Sequence, residues 1–388
     1  MKYYIVAGEA SGDLHGSNLM KGLYAKDSEA EIRFWGGELM DKVFHDNRYG
    51  EGLVQDYRKG AIIGFTQVLF HATSFLNRIR RCKTDILQWN PDVVILIDYP
   101  GFNFKIAEFS HRHGIRTFYY IAPKVWASRE GRVSKIKKYV DSLFIVFPFE
   151  IPYFRSKGVK FIYKGNPLID AIDNSDAMNE TRKAFLDRNG IEDKPSIALL
   201  AGSRSGEIAT MMPVFMEFAD KMRKIPAYSD YLFLVAAAPG RQMKDYQKYV
   251  DGRESYVKVL FGQSYAVVKN SLAAAINSGT ASLEAALIGT PQVVGYKGAE
   301  INYLIARMII KIKFISLGNL ILNKLCFREL IQYYFTADNV LEEIIRLIED
   351  KKYRADMIED YGKIRVSLGN RGASEAVAEA MIGEIRKK

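Results

Sequence analysis

Short, almost continuously apolar runs recur along this chain, and each is followed by a helix-like segment. In the first half they span 3–7, 93–98, 117–121 and 143–147; in the second, 197–201, 231–236, 273–277 and 292–296. A run apolar at consecutive rather than alternate positions suits a strand covered on both faces. Strand then helix, repeated, implies right-handed crossovers and a mostly parallel sheet. At 388 residues the chain exceeds what one core normally serves. The expected fold is therefore α/β, with two doubly wound domains facing across a cleft. The join is placed after "GNPLID" (165–170), where a charged helical stretch at 174–189 precedes a fresh buried strand. The expected domains are 1–172 and 173–340, with helices at 341–388 crossing back to the first domain.

Other bulk properties narrow the partners rather than the fold. A 48% hydrophobic and 26% charged composition is that of an ordinary globular protein. Only Cys82 and Cys326 are present, far apart, which disfavours a disulfide framework or a zinc site and suits a reducing cytosol. No apolar run reaches membrane-spanning length, and the first residues enter a strand directly, so neither an anchor nor a secretion signal is expected. The formal charge of +10 favours anionic partners without choosing among them.

Ligands of doubly wound sheets sit beyond the carboxyl ends of the strands. In the second half, "IALLAGSRSGEI" (197–208) places Gly202, Ser203, Arg204 and Glu207 there. A small turn lets backbone amides approach an anion, and arginine adds a fork of donors for phosphate oxygens. A plain strand-to-helix turn with a solvated arginine explains the same residues. "INSGTASLEAALIGTPQVV" (276–294) opens a helix with Gly279, Thr280 and Ala281, whose free amides and positive dipole end suit an anion. Glu284, one turn in, could accept ribose hydroxyls; an N-cap with a first-turn glutamate is the alternative. Further on, Asn319, Arg328, Glu329 and Gln332 lie amid apolar residues, where such groups either face a ligand or satisfy backbone.

In the first half, "PDVVILIDYPGFN" (91–103) ends a buried strand at Asp98. A partly buried carboxylate at that edge is a usable general base, or else a helix cap. "YYIAPKVWASREGRVSKIKKYVD" (119–141) carries Lys124, Arg129 and Arg132, which could hold an anionic acceptor or form a solvated face. Trp126 beside them could cover an apolar group or fill core. "IVAGEASGDLHG" (5–16) reads as a small-residue loop whose Glu9 and Asp13 would repel a diphosphate, while Ser11 and His15 could hold sugar hydroxyls. Gly8, Gly12 and Gly16 keep its backbone close to whatever docks. A tight turn capped by Asp13 is the other reading.

Taken in order, "AGEASGD", "PDVVILIDYPGFN", "APKVWA", "FPFE", "GNPL", "GSRSGEI" and "SGTASLEAAL" resemble the lipid-A-disaccharide synthases, inverting glycosyltransferases of the two-Rossmann, GT-B type. The likeness runs over nearly the whole chain. It implies condensation of UDP-2,3-diacylglucosamine with 2,3-diacylglucosamine 1-phosphate, giving a β-1,6-linked disaccharide 1-phosphate and UDP, without a metal or organic cofactor. It also implies Asp98 as the essential acidic residue, Arg204 as the donor-side arginine, and nucleotide contacts from Thr280, Glu284, Asn319 and Gln332. Two departures stand out: Ala201 where the family's turn has proline, and Ser128 where it has a second tryptophan.

Acylated substrates require a membrane surface, so the resemblance implies a cytoplasmic enzyme peripheral on the anionic inner face of the inner membrane. The stretch 61–80 places Val68, Leu69, Phe75 and Leu76 near helical spacing before Arg78, Arg80 and Arg81, and 301–328 mixes apolar and basic residues similarly. Core or interdomain packing accounts for both equally well. Competing functions are a UDP-sugar glycosyltransferase or 2-epimerase with a soluble substrate, and a nucleic-acid-binding protein. The last lacks any basic tail or recognised motif, so no nucleic-acid partner is expected. A homodimer is left open.

Overall fold

The computed structural model describes residues 1–60, 68–127, 129–298 and 313–387. Its strands, in chain order, are β1 (Lys2–Ala7), β2 (Glu31–Gly36), β3 (Leu53–Asp56), β4 (Val93–Ile97), β5 (Arg116–Tyr120), β6 (Ser142–Ile145), β7 (Ile162–Tyr163), β8 (Ser196–Leu200), β9 (Leu232–Ala237), β10 (Val257–Phe261), β11 (Ala273–Asn277), β12 (Gln292–Tyr296) and β13 (Glu329–Ile331). They form two parallel sheets, ordered β3-β2-β1-β4-β5-β6-β7 and β10-β9-β8-β11-β12-β13. The central strands, such as Val93–Ile97 and Ala273–Asn277, are buried throughout, because helices cover both faces. The strands absent from the sequence reading include the four sheet edges, where solvent on one side removes the need for continuous apolarity.

Each sheet reverses its strand order once, between β1 and β4 and between β8 and β11, which is where ligands of such sheets bind. Register then decides which residues emerge together. Ala7 pairs with Ile97, and Ile97 with Tyr120, so Gly8, Asp98 and Ile121 leave the first sheet side by side. In the second sheet Leu200 pairs with Ile276, which brings Ala201 and Gly202 beside Asn277.

The chain divides into two compact units, Met1–Ala171 with Leu368–Lys388, and Ile172–Ser367. The 341–388 stretch is thus split rather than acting as one appendage. Helix Ala337–Glu349 buries Val340, Ile344 and Leu347 within the second unit. The last helix, Ala373–Arg386, belongs to the first. Asp170 anchors it by accepting the amides of Gly372 and Ser374 at 2.7 and 2.8 Å. Arg116 donates to the carbonyls of Glu384 and Ile385 at its far end. Cys82 and Cys326 are buried free thiols.

Candidate active site

Two adjacent residues of unusual backbone lie at the end of β4. Asp98 and Tyr99 have φ of 43° and 42°, left-handed values that cost a non-glycine residue of order 1–3 kcal/mol. Surrounding bonds hold them there. The Asp98 amide donates to the Tyr120 carbonyl at 3.1 Å. Its carbonyl accepts from the Tyr119 hydroxyl at 2.5 Å and the Asn103 amide at 2.8 Å. Asn103 is wholly buried and also reaches the Ile97 carbonyl. The turn therefore fixes a half-buried carboxylate at the sheet's reversal point. Gly8 completes it: a β-carbon there would fall 2.2 Å from the Tyr99 ring, so only glycine lets the first loop lie on that ring.

The 8–16 stretch is largely helical and not the small-residue loop expected. Helix Ala10–Lys26 begins almost at once and buries Gly12, Asp13, His15 and Gly16. Asp13 accepts three amides, from Gly37 at 2.7 Å and from Leu39 and Met40 at 3.1 Å. It caps helix Glu38–Asn47, which neither the sugar-binding reading nor the tight-turn alternative foresees. His15 is also turned inward, and burial holds its pKa down to about 4. Exposed Glu9 and half-buried Ser11 remain near the strand ends.

After β5, Lys124 and Arg129 are exposed and Trp126 is half-buried. The Trp126 indole donates to Glu150 at 3.2 Å, and Glu150 also accepts the amides of Val146 and Phe147. Burial pushes the Glu150 carboxyl up to about 7, with the charge of Asp98 adding to the effect. Asn103 and Glu150 were present in the quoted "PGFN" and "FPFE" motifs, yet nothing in their spacing marked them. Of the apolar residues proposed for membrane contact, Phe75 instead packs inward, edge-on to Phe102 at 5.9 Å, because both belong to the first core. Leu76 faces outward. The side chains of Val68 and Leu69, residues 301–312 of the second stretch and Ser128 lie outside the described residues.

In the second unit, helix Thr280–Ile288 starts at Gly279 without a side-chain cap, leaving its first-turn amides directed at the sheet edge. Thr280 is exposed and Ala281 half-buried. Glu284 is half-buried one turn further in, where burial raises its carboxyl to about 7. The Gly202 turn is built differently from expectation. Glu207 folds back to accept the amides of Ser203 and Arg204 at 2.9 and 3.0 Å and the Arg204 guanidinium at 2.8 Å. A carboxylate of the chain itself thus already occupies those amide donors. Gly202 has φ of 95°, and a β-carbon there would lie 2.5 Å from Glu207 and 2.6 Å from Asn277. Arg241, which the motifs did not single out, holds the turn from the end of β9. It donates twice to the Ser203 carbonyl and once to the Ser205 hydroxyl.

Asn319 and Gln332, expected as nucleotide contacts, and Glu329 between them bond to neighbouring backbone. Asn319 is fully buried; it donates to the Phe327 carbonyl and to Glu329, and accepts the amides of Cys326 and Phe327. Glu329 accepts the amides of Ile315 and Ser316. Gln332 makes a two-way bond with the backbone of Gly298. Their polar groups stitch 315–332 to the end of β12, which is the satisfaction a buried polar side chain requires. Arg328 is paired with Glu343. A shallow concavity at Asp220, Arg223 and Arg253 lies at the amino edge of this sheet, and its Arg253 is already bonded to Asp220. Among the described residues no group of three or more His, Cys, Asp or Glu could hold a metal ion, and no helix is long and apolar enough to cross a membrane.

A family model described as lipid-A-disaccharide synthetase matches residues 3–381. The lipid-A-disaccharide synthase of Syntrophus aciditrophicus is 36% identical over 99% of this chain and 97% of its own length. That of Geobacter metallireducens is 34% identical over the same shares. Among solved structures, the UDP-GlcNAc 2-epimerase of Neisseria meningitidis bound to UDP-GlcNAc is similar with a TM-score of 0.67 at 16% identity, covering 99% of this chain and all of that one. A glycosyltransferase from Rickettsia africae is similar with a TM-score of 0.59 at 11% identity, covering 100% and 99%. These last two share the two-domain α/β fold.

Proposed function

The chain belongs to the lipid-A-disaccharide synthase family, a family of GT-B glycosyltransferases in lipid A biosynthesis, and from that premise we propose its substrates and the roles of its residues. The donor is UDP-2,3-diacylglucosamine and the acceptor 2,3-diacylglucosamine 1-phosphate. The acceptor 6-hydroxyl attacks the anomeric carbon as UDP departs from the opposite face, forming the β-1,6-linked disaccharide 1-phosphate. The C–O bond to UDP breaks as the new glycosidic bond forms, and the hydroxyl proton passes to Asp98.

The observation that carries this reading is the Asp98–Tyr99 turn. Two adjacent residues held in the left-handed region at a sheet's reversal point represent strain that packing alone gives no reason to keep. Base catalysis from such a carboxylate contributes about 10²–10⁴-fold. Lys124, Arg129 and Trp126 are the nearby groups suited to an anionic, partly apolar acceptor. On the donor side, the first-turn amides of Thr280, Ala281 and Ser282 receive the developing diphosphate charge, with Arg204 adding positive potential. Glu284 takes the ribose. Glu207 organises the Gly202 turn and does not itself bind phosphate. Because both substrates are acylated, the protein works at an anionic membrane face, with outward-facing Leu76 contributing apolar contact.

Incubation with both acylated substrates should yield disaccharide 1-phosphate and UDP, while UDP-GlcNAc should turn over poorly. Asp98→Asn protein that keeps its fold should lose about 10²–10⁴-fold in kcat. Near-normal turnover in that variant removes Asp98 as the base.

A further inference from the structure

Glu150 opens the short helix Glu150–Ser156 just beyond β6 and is 1% exposed. Its two oxygens have divided duties. Oε2 accepts the amides of Val146 and Phe147 at 3.1 and 3.0 Å, and Oε1 accepts the Trp126 indole at 3.2 Å. The Trp126 ring stands edge-on to Phe149 at 4.8 Å, and Phe149 stacks on Phe147 at 5.2 Å. Asp98 is close enough for its charge to act on the same carboxyl.

A buried carboxyl is a costly choice where a neutral acceptor would satisfy one indole. A half-exposed indole could use water instead. The chain nonetheless commits this carboxyl to joining one ring of the 121–131 segment to the backbone that ends β6, within electrostatic reach of Asp98. The device fixes Trp126 against the 146–150 segment through both a hydrogen bond and a ring contact, so the ring cannot turn without breaking the Glu150 bond.

We propose that Glu150 is a positioning residue for the acceptor, locking the Trp126 ring so that its face is presented to the acceptor sugar beside Asp98. This role presupposes that the first unit holds the acceptor, as above. Glutamine at 150 has one acceptor oxygen and one donor amide, so it can serve the indole or the two backbone amides but not both.

The test uses full-length Glu150→Gln, Trp126→Phe and the double variant, with circular dichroism establishing the fold. Initial rates are measured with 2,3-diacylglucosamine 1-phosphate varied at saturating donor, and then the converse. Loss of one ordered contact predicts an acceptor KM raised about tenfold in each single variant, with donor KM within about twofold. The double variant should be no worse than either single one, since both remove the same arrangement. A merely structural Glu150 would lower kcat alone, through less folded enzyme, and leave the acceptor KM in place; that result overturns the proposal. Additive losses in the double variant do so too. Should Glu150→Gln fail to fold, Trp126→Phe decides: an unchanged acceptor KM refutes the role of the ring. If wild-type protein forms no disaccharide, the function reading fails; if it does and acceptor KM never moves, only the Glu150 role fails.

Discussion

Glu150 also ties the stability of the first unit to pH, with a sign that follows from its surroundings. Burial is the dominant influence and opposes ionisation. Hydrogen bonds from Phe147, Val146 and Trp126 favour the carboxylate, and the charge of Asp98 disfavours it. The balance lifts the pKa to about 7 from an ordinary 4.5, so between these values the folded chain holds a proton that the unfolded chain releases. The stability contributed by the protonated group is fully present below pH 4.5 and is lost as pH rises through about 7. At about 1.4 kcal/mol per pH unit, the loss over that window is about 3 kcal/mol. All three tryptophans, Trp35, Trp89 and Trp126, lie in the first unit, so their fluorescence in urea follows its unfolding separately. Glutamine carries no proton, and other titrating groups cancel when Glu150→Gln is compared with wild type at each pH. The lost hydrogen bond adds a constant offset only. The difference should therefore move in favour of the variant by about 3 kcal/mol between pH 4.5 and 8. A difference flat to within about 0.5 kcal/mol, well inside the error of extrapolation, would mean that Glu150 stays ionised and that the burial argument is wrong.

Two further outcomes are expected. Asp13→Ala strands the amides of Gly37, Leu39 and Met40 and should destabilise the first unit by about 2–4 kcal/mol; an unchanged tryptophan-monitored midpoint would show that Asp13 is not the cap. With a net charge of +10, the protein should float with anionic vesicles, less so as salt is raised and less so in Leu76→Ser. Absence of salt-sensitive flotation would remove the membrane-surface reading.

What the sequence alone determined was whatever depends on local pattern. Continuous apolar runs such as "VVILI" and "AAAIN" identify strands buried on both faces, and their alternation with helices leads to two doubly wound sheets. Ordered motifs such as "GSRSGEI" and "SGTASLEAAL" were enough to recognise the family and hence a glycosyltransferase. Short strands such as β7 and β13 stayed hidden, because two or three residues against a sheet edge carry no periodic signal. The duties of individual polar side chains were decided only by tertiary structure. Asp13, Asn319, Glu329 and Gln332 look in sequence like ligand groups, and Glu150 like nothing in particular. A carboxylate or amide takes its role from the donors that the fold brings to it, and those donors lie 24–27 residues away for Asp13 and 34 away for Gln332. The same holds at Asp98: its position after a buried strand could be read directly, but its left-handed backbone exists only because Tyr119, Tyr120 and Asn103 converge on it.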